Sequence, residues 1–127
     1  MDLDKIPAVT LSGVRPGEEK TIRSLIASCN LNTSDLTPEK LRHFVVARKG
    51  DAVIGAVGLE VLGPHALLRS LTVEEARRGQ GIATKLVEAV ERYARSLHLD
   101  DLFLLTMTAD RFLLKTLILK PTVRTPR

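Results

Sequence analysis

Apolar residues recur along the chain at two periods, and the changes from one to the other mark out its elements. Residues 7 to 14, Pro-Ala-Val-Thr-Leu-Ser-Gly-Val, alternate loosely and predict a first strand that ends at Pro16-Gly17. From Glu18 to Asn30 the period lengthens. Ile22, Leu25, Ile26 and Cys29 fall on one helical stripe, acids occupy the first turn, and Asn30 is placed to stop the helix. Asn32 to Arg42 reads as a loop and a short helix, with Thr37 able to cap and Pro38 at the first helical position. Extended runs then follow at His43 to Arg48, Ala52 to Leu62 and His65 to Val73, the first two rich in β-branched residues. The turns between them, Lys49-Gly50-Asp51 and Gly63-Pro64, are short enough to predict an antiparallel meander.

The second half opens on a glycine stretch and continues as the best amphipathic segment of the chain, a helix to His98. Its predicted inner stripe is Ile82, Leu86, Val90, Tyr93 and Leu97, with Glu88/Arg92 and Glu91/Arg95 able to pair on the outside. Asp100-Asp101 ends it, and LFLLTM, Leu102 to Met107, is a nearly continuous apolar run, as in a strand covered on both faces. HALLRSLTV, the helix and LFLLTM thus form a strand, a crossover and a second strand, which a right-handed connection places parallel in one sheet. The expected fold is α/β (α+β): a mixed sheet with an antiparallel meander followed by a strand-helix-strand unit. At 127 residues it forms one domain.

Composition narrows the chemistry. With three Phe, one Tyr and no Trp, the core must come from Leu, Val, Ile and Ala. Cys29 is the only cysteine, which excludes an intrachain disulfide and a four-cysteine metal knot. Its place on an apolar stripe reads as a small buried hydrophobe rather than a reactive thiol. No apolar run approaches the roughly 20 residues of a membrane span, and Met1-Asp2-Leu3-Asp4 lacks the positive start of a secretory signal. A cytoplasmic protein with no membrane partner is expected. The formal net charge is +4, but residues 111 to 127 alone carry +5, so the first 110 residues sum to −1. A basic tail on a neutral body, without interleaved aromatics, argues against a nucleic-acid partner. His43, His65 and His98 fall on different elements, and no metal site is expected.

Arg77, Arg78, Gly79 and Gly81 stand directly before the long helix, where one Ser, Thr, Asp or Asn would have served for capping. A helix N-terminus points unpaired N–H groups and the positive end of its dipole forward. Gly79 and Gly81 remove side chains that would block close approach, and Arg78 adds a positive charge, which together suit a pyrophosphate. Two familiar phosphate loops do not fit. Gly81-Ile82-Ala83-Thr84-Lys85 lacks the Gly-Lys-Ser/Thr end of a Walker loop, and Gly79-Gln80-Gly81-Ile82-Ala83-Thr84 has Thr where a dinucleotide fingerprint has its third Gly.

Arg-x-x-Gly-x-Gly/Ala does fit, met by Arg78, Gly81 and Ala83 after a Leu-x-Val strand and a short acidic loop. In these residues the sequence resembles the GNAT superfamily of acyl-coenzyme A N-acyltransferases, from the first strand to about Phe112. ALLRSLTV, RRGQGIA, LFLLTMTAD and VGLE look like the acetyltransferases found with bacterial arsenic-resistance operons. The resemblance implies that Arg78, Gly79, Gln80, Gly81, Ile82 and Ala83 hold the coenzyme A pyrophosphate. It also implies that Leu71, Thr72 and Val73 present main-chain groups to the pantetheine arm and thioester, and that acetyl-coenzyme A donates its acetyl group directly to the amine of a small molecule. That transfer needs a neutral amine, a polarised carbonyl and a proton for the departing thiolate.

Glu60 is the candidate base. If Gly63-Pro64 is the hairpin turn, Glu60 and Arg69 lie diagonally on one sheet face with Gly58 opposite Arg69. Three readings stay open: a structural ion pair, a substrate carboxylate held by Arg69, or a water activated by Glu60. Tyr93 reads as core.

After Phe112 the chain departs from the family. LLKTLILKPTVRTPR replaces a Gly-Phe turn and two further strands, and the usual tyrosine acid is missing. The expectation is therefore a domain that lacks the last two strands, with 113–127 an atypical basic tail and a bare edge beside Leu102 to Met107. Under one codon choice, residues 119 to 125 read one base out of frame as Phe-Glu-Thr-Tyr-Arg-Thr-His, which looks like the missing strand. Two alternatives follow: a catalytically weak or inactive acyl-coenzyme A binding module, dimerising through the bare edge, and an interaction protein that works through its basic tail.

Overall fold

The structure is a computed structural model that describes residues 9–108 and 111–118, with side chains described as far as Leu104. Six strands form one sheet: β1 (Val9–Gly13), β2 (Phe44–Lys49), β3 (Ala52–Leu62), β4 (His65–Val73), β5 (Asp101–Thr108) and β6 (Arg111–Ile118), in sequence order. All neighbours are antiparallel except β4 and β5, which run parallel, as the crossover requires. Helices α1 (Glu19–Ser28) and α2 (Pro38–Leu41) pack with Phe44, Val46 and Ala56, whereas α3 (Ile82–Ser96) packs with Ala47, Val57 and Leu59. The alternation along β2 and β3 thus serves two apolar layers, one per face.

Local signals explain the helix boundaries. Thr37 Oγ1 accepts from the Lys40 N–H at 3.2 Å, and Pro38 starts α2. Asn30 takes a φ of 61° just beyond α1, where its N–H donates to the Ala27 carbonyl. Along α3 the fully covered stripe is Ile82, Leu86, Val90 and Ala94. Leu97, expected on that stripe, is 38% exposed, because the helix ends at Ser96 and His98 turns to a φ of 61°. Leu99 takes the buried place beyond the break.

Two features of β4 position the site. Gly58 stands opposite Arg69 but Ala56 opposite Thr72, so β4 carries one residue more than β3 across this interval. Ser70, with a φ of 57°, lies in the resulting bulge. The parallel pairing with β5 covers only His65–Leu68 against Asp101–Leu104. From Arg69 to Val73, β4 keeps its partner on one side alone, and the two strands part.

The C-terminal expectation needs correction. The edge beside Leu102 to Met107 is not bare: β6 pairs with all eight residues of β5, from Asp101↔Ile118 to Thr108↔Arg111. Six of the residues expected as tail, 113–118, belong to that strand. Arg111 and Lys115 made the segment read as a basic extension, yet RFLLKTLI is mostly apolar, and pairing satisfies backbone groups that β5 would otherwise leave open. The edge proposed for dimerisation is covered. Residues 119 to 127, with the out-of-frame reading of 119 to 125, lie outside the described residues.

Candidate functional site

Where β4 leaves β5, a cleft of about 540 Å³ opens between the end of β4, the loop before α3 and the C-terminal end of α1. Of the residues expected around a coenzyme, Leu71, Thr72, Val73, Arg78, Gly79, Gly81, Ile82 and Ala83 all line it. Gln80 is exposed between the two glycines and is not on the wall. Gly79 and Gly81 have φ of 81° and 82°, and a Cβ on either would meet no protein atom within 4 Å. Glycine is therefore required by the backbone path, and among the described residues the space beside both α-carbons is open. Gly81 occupies the N-cap without any side-chain cap, so the first N–H groups of α3 face forward at Ile82, Ala83 and Thr84. Arg78 reaches across the cleft: its Nε donates to the Val73 carbonyl at 3.2 Å, and its Nη2 lies 3.6 Å from Cys29 Sγ. Among the described residues no carboxylate stands within ion-pair reach of Arg78, whereas Arg77 is paired with Glu74 at 3.5 Å. Thr72 is buried, and its hydroxyl donates to the Ala56 carbonyl at 3.4 Å.

Cys29 corrects a second expectation. It is half-buried at the C-cap of α1, on the cleft wall with Leu31, and not in the core, because the helix ends one residue before it. Helical spacing alone could not show that the stripe runs out into a cavity.

A second cavity, of about 430 Å³, lies beside α2 and the start of β2, lined among others by Lys40, His43, Glu60 and Arg69. The hairpin turn falls at Gly63-Pro64, and Glu60 accepts from Arg69 Nη1 at 3.1 Å. Asp35, which no local pattern marked, completes the group. Arg69 Nη1 and Nη2 donate to its two carboxylate oxygens at 2.7 and 2.9 Å, and Lys40 Nζ donates to it at 3.3 Å. The Arg69 guanidinium, helped by Lys40, holds the Asp35 carboxyl well below the ordinary carboxylate range, and Asp35 in turn keeps Arg69 charged. Gly58 makes room on this face: a Cβ there would fall inside the Phe44 ring. Tyr93 is half-buried against the core, and its Oη lies 2.7 Å from His43 Nδ1. Among the described residues no three His, Cys, Asp or Glu side chains gather in a way that could hold a metal ion, and no helix is long and apolar enough to cross a membrane.

A mixed sheet with a splayed parallel pair, and a glycine-led helix aimed into the splay, defines the architecture. The chain belongs to the acetyltransferase (GNAT) family, whose model matches residues 14–115. No curated protein matches it significantly. Among solved structures it is similar to Rv2747 from Mycobacterium tuberculosis, in complex with CoA and NLQ, with 25% identity and a TM-score of 0.69 over 76% of this chain and 64% of that one. N-acetylglutamate synthase from Neisseria gonorrhoeae, complexed with coenzyme A and N-acetyl-glutamate, shares 16% identity and a TM-score of 0.71 over 78% of this chain and 25% of that one. A GNAT-family acetyltransferase from Staphylococcus aureus gives 18% and 0.67, over 79% and 75%. The chain thus spans less than two thirds of the first two.

Proposed function

We propose that the protein is a cytoplasmic N-acetyltransferase that moves an acetyl group from acetyl-coenzyme A directly to the amine of a small molecule. The observation that carries this reading is the cleft itself: a helix N-terminus led by two left-handed glycines and an arginine with no carboxylate partner among the described residues, at the point where β4 leaves β5. Arg78 and the N–H groups from Gly79 to Ala83 suit a pyrophosphate by charge and by space. The unpaired side of Leu71 to Val73 suits the thioester arm, where an N–H can polarise the carbonyl. The amine nitrogen bonds to the carbonyl carbon as the carbon-sulfur bond breaks; the amine loses a proton and the thiolate gains one. Glu60 is the proposed acceptor of that proton, directly or through water. CoA complexes among the structural neighbours support the coenzyme half of this reading. The finer likeness to acetyltransferases of arsenic-resistance operons is part of the proposal, and the genes flanking this one test it.

A weak or inactive coenzyme-binding module is the second reading, favoured by the hydrogen bond that ties Glu60 to Arg69. Thermal-melt titration with acetyl-coenzyme A tests the cleft. At 100 times its dissociation constant a ligand stabilises the native state by about 2.7 kcal/mol, a shift of roughly 10 °C for a domain of this size. Arg78→Ala should weaken the shift; a folded protein that shows none refutes the cleft. Thiol release with an amine panel then separates the enzyme from the binding module.

A further inference from the structure

Arg69 offers a planar fork, and a loop carboxylate fills it. Asp35 lies in the connection between α1 and α2 and is 42% exposed, whereas Arg69 is 17% exposed and lines the second cavity. An ion pair as open as this adds little to stability, but bidentate geometry is what a guanidinium uses to recognise a carboxylate. The loop can give up the contact cheaply. Leu36 is buried and anchors it, so Asp35 needs only to rotate its side chain, and Lys40 at 3.3 Å remains as its partner.

Resting on the acetyltransferase reading, we propose that the acceptor is an amino acid or similar carboxylate-bearing amine, whose carboxylate displaces Asp35 from Arg69. Glu60, bonded to the same Nη1, sets a negative charge beside the positive one on the cavity wall. That pairing complements a zwitterion: the carboxylate meets Arg69, and the ammonium meets Glu60 before it loses its proton. Arg69 and Leu71 stand two positions apart on β4, one on each cavity, so an acceptor held by Arg69 sits next to the strand segment assigned to the thioester.

Binding is the test, because it does not depend on turnover. Thermal melts of the full chain are titrated with the common L-amino acids, and with ethylamine, 4-aminobutanamide and 2-phenylethylamine as decarboxylated counterparts of alanine, glutamine and phenylalanine. At least one amino acid should raise the melting temperature saturably and bind 10-fold or more tightly than its decarboxylated amine. Asp35→Asn should tighten that binding several-fold by removing the internal competitor, and Arg69→Lys should abolish the preference for a carboxylate. Equal binding of amines without a carboxylate, no amino acid bound, or weaker binding in Asp35→Asn overturns the proposal. The acetyl-coenzyme A titration is run on the same samples. Loss of the coenzyme shift with carboxylate binding kept refutes the acetyltransferase reading alone, and the reverse refutes the Asp35 displacement alone.

Discussion

Arg48 is buried without any exposed surface, and its guanidinium donates hydrogen bonds to oxygen atoms of Glu18, Ser12 and Gly13. Its Nε and Nη2 donate to Glu18 at 2.7 and 2.5 Å, Nη1 donates to Ser12 Oγ at 2.6 Å, and Nη2 also donates to the Gly13 carbonyl at 2.7 Å. Removing one partner of such a pair strands the other charge, which costs about 3–5 kcal/mol. Arg48→Met should therefore lower the urea midpoint sharply, and Glu18→Gln less so, because a neutral amide still accepts one hydrogen bond. Gly81 poses a different demand. Its φ of 82° disfavours any Cβ by about 1–2 kcal/mol, and the added methyl group would project into the cleft. Gly81→Ala is expected to destabilise the protein modestly and to weaken acetyl-coenzyme A binding more than that, read from melts with and without ligand. Gly58→Val should instead unfold the α2 face by driving into Phe44, without contact with the cleft.

At the scale of elements, the short parallel register between β4 and β5 and the full antiparallel register between β5 and β6 have opposite uses. The first stops after four residues and leaves β4 open toward the cleft. The second runs the length of β5 and shields it. A chain ended after residue 110 should consequently lose stability and self-associate through the exposed β5 edge, as seen by light scattering. A truncated chain that remains monomeric and equally stable would show that β6 adds nothing. Both the meander and the crossover were legible in the sequence, since period and turn residues are local. β6 was not, because LLKTLI is ambiguous by pattern and only its partner strand makes it extended.

At the scale of the molecule, the ion pairs of Glu18 with Arg48 and of Asp35 with Arg69 tie the α1/α2 layer to the sheet. Arg48 holds the Glu18 carboxyl below its ordinary range, and Arg69 does the same to Asp35. A carboxyl whose folded-state pKa is depressed stabilises the fold fully above its unfolded value, about 4, and loses that contribution as pH falls through the folded one. Urea midpoints should stay level from neutral pH to about 5 and fall below about 4. Glu18→Gln should flatten part of the fall, whereas Asp35→Asn should change it little, since that pair is open to solvent. A fall of the same size in Glu18→Gln would show that other carboxyls govern the acid limb.

The sequence by itself determined the elements up to β5, the parallel crossover and the glycine-led turn, because each depends on residues within a few positions of one another or on a single connection. The expected diagonal of Glu60 and Arg69 also followed from a single turn. Only the tertiary structure decided that Asp35 closes on Arg69 from 34 residues away, that Cys29 faces the cleft, and that β4 and β5 part after Leu68. Those contacts join segments distant in the chain, and packing selects them: the seating of α1 on the sheet, the bulge at Ser70 and the end of a ladder have no local period to betray them.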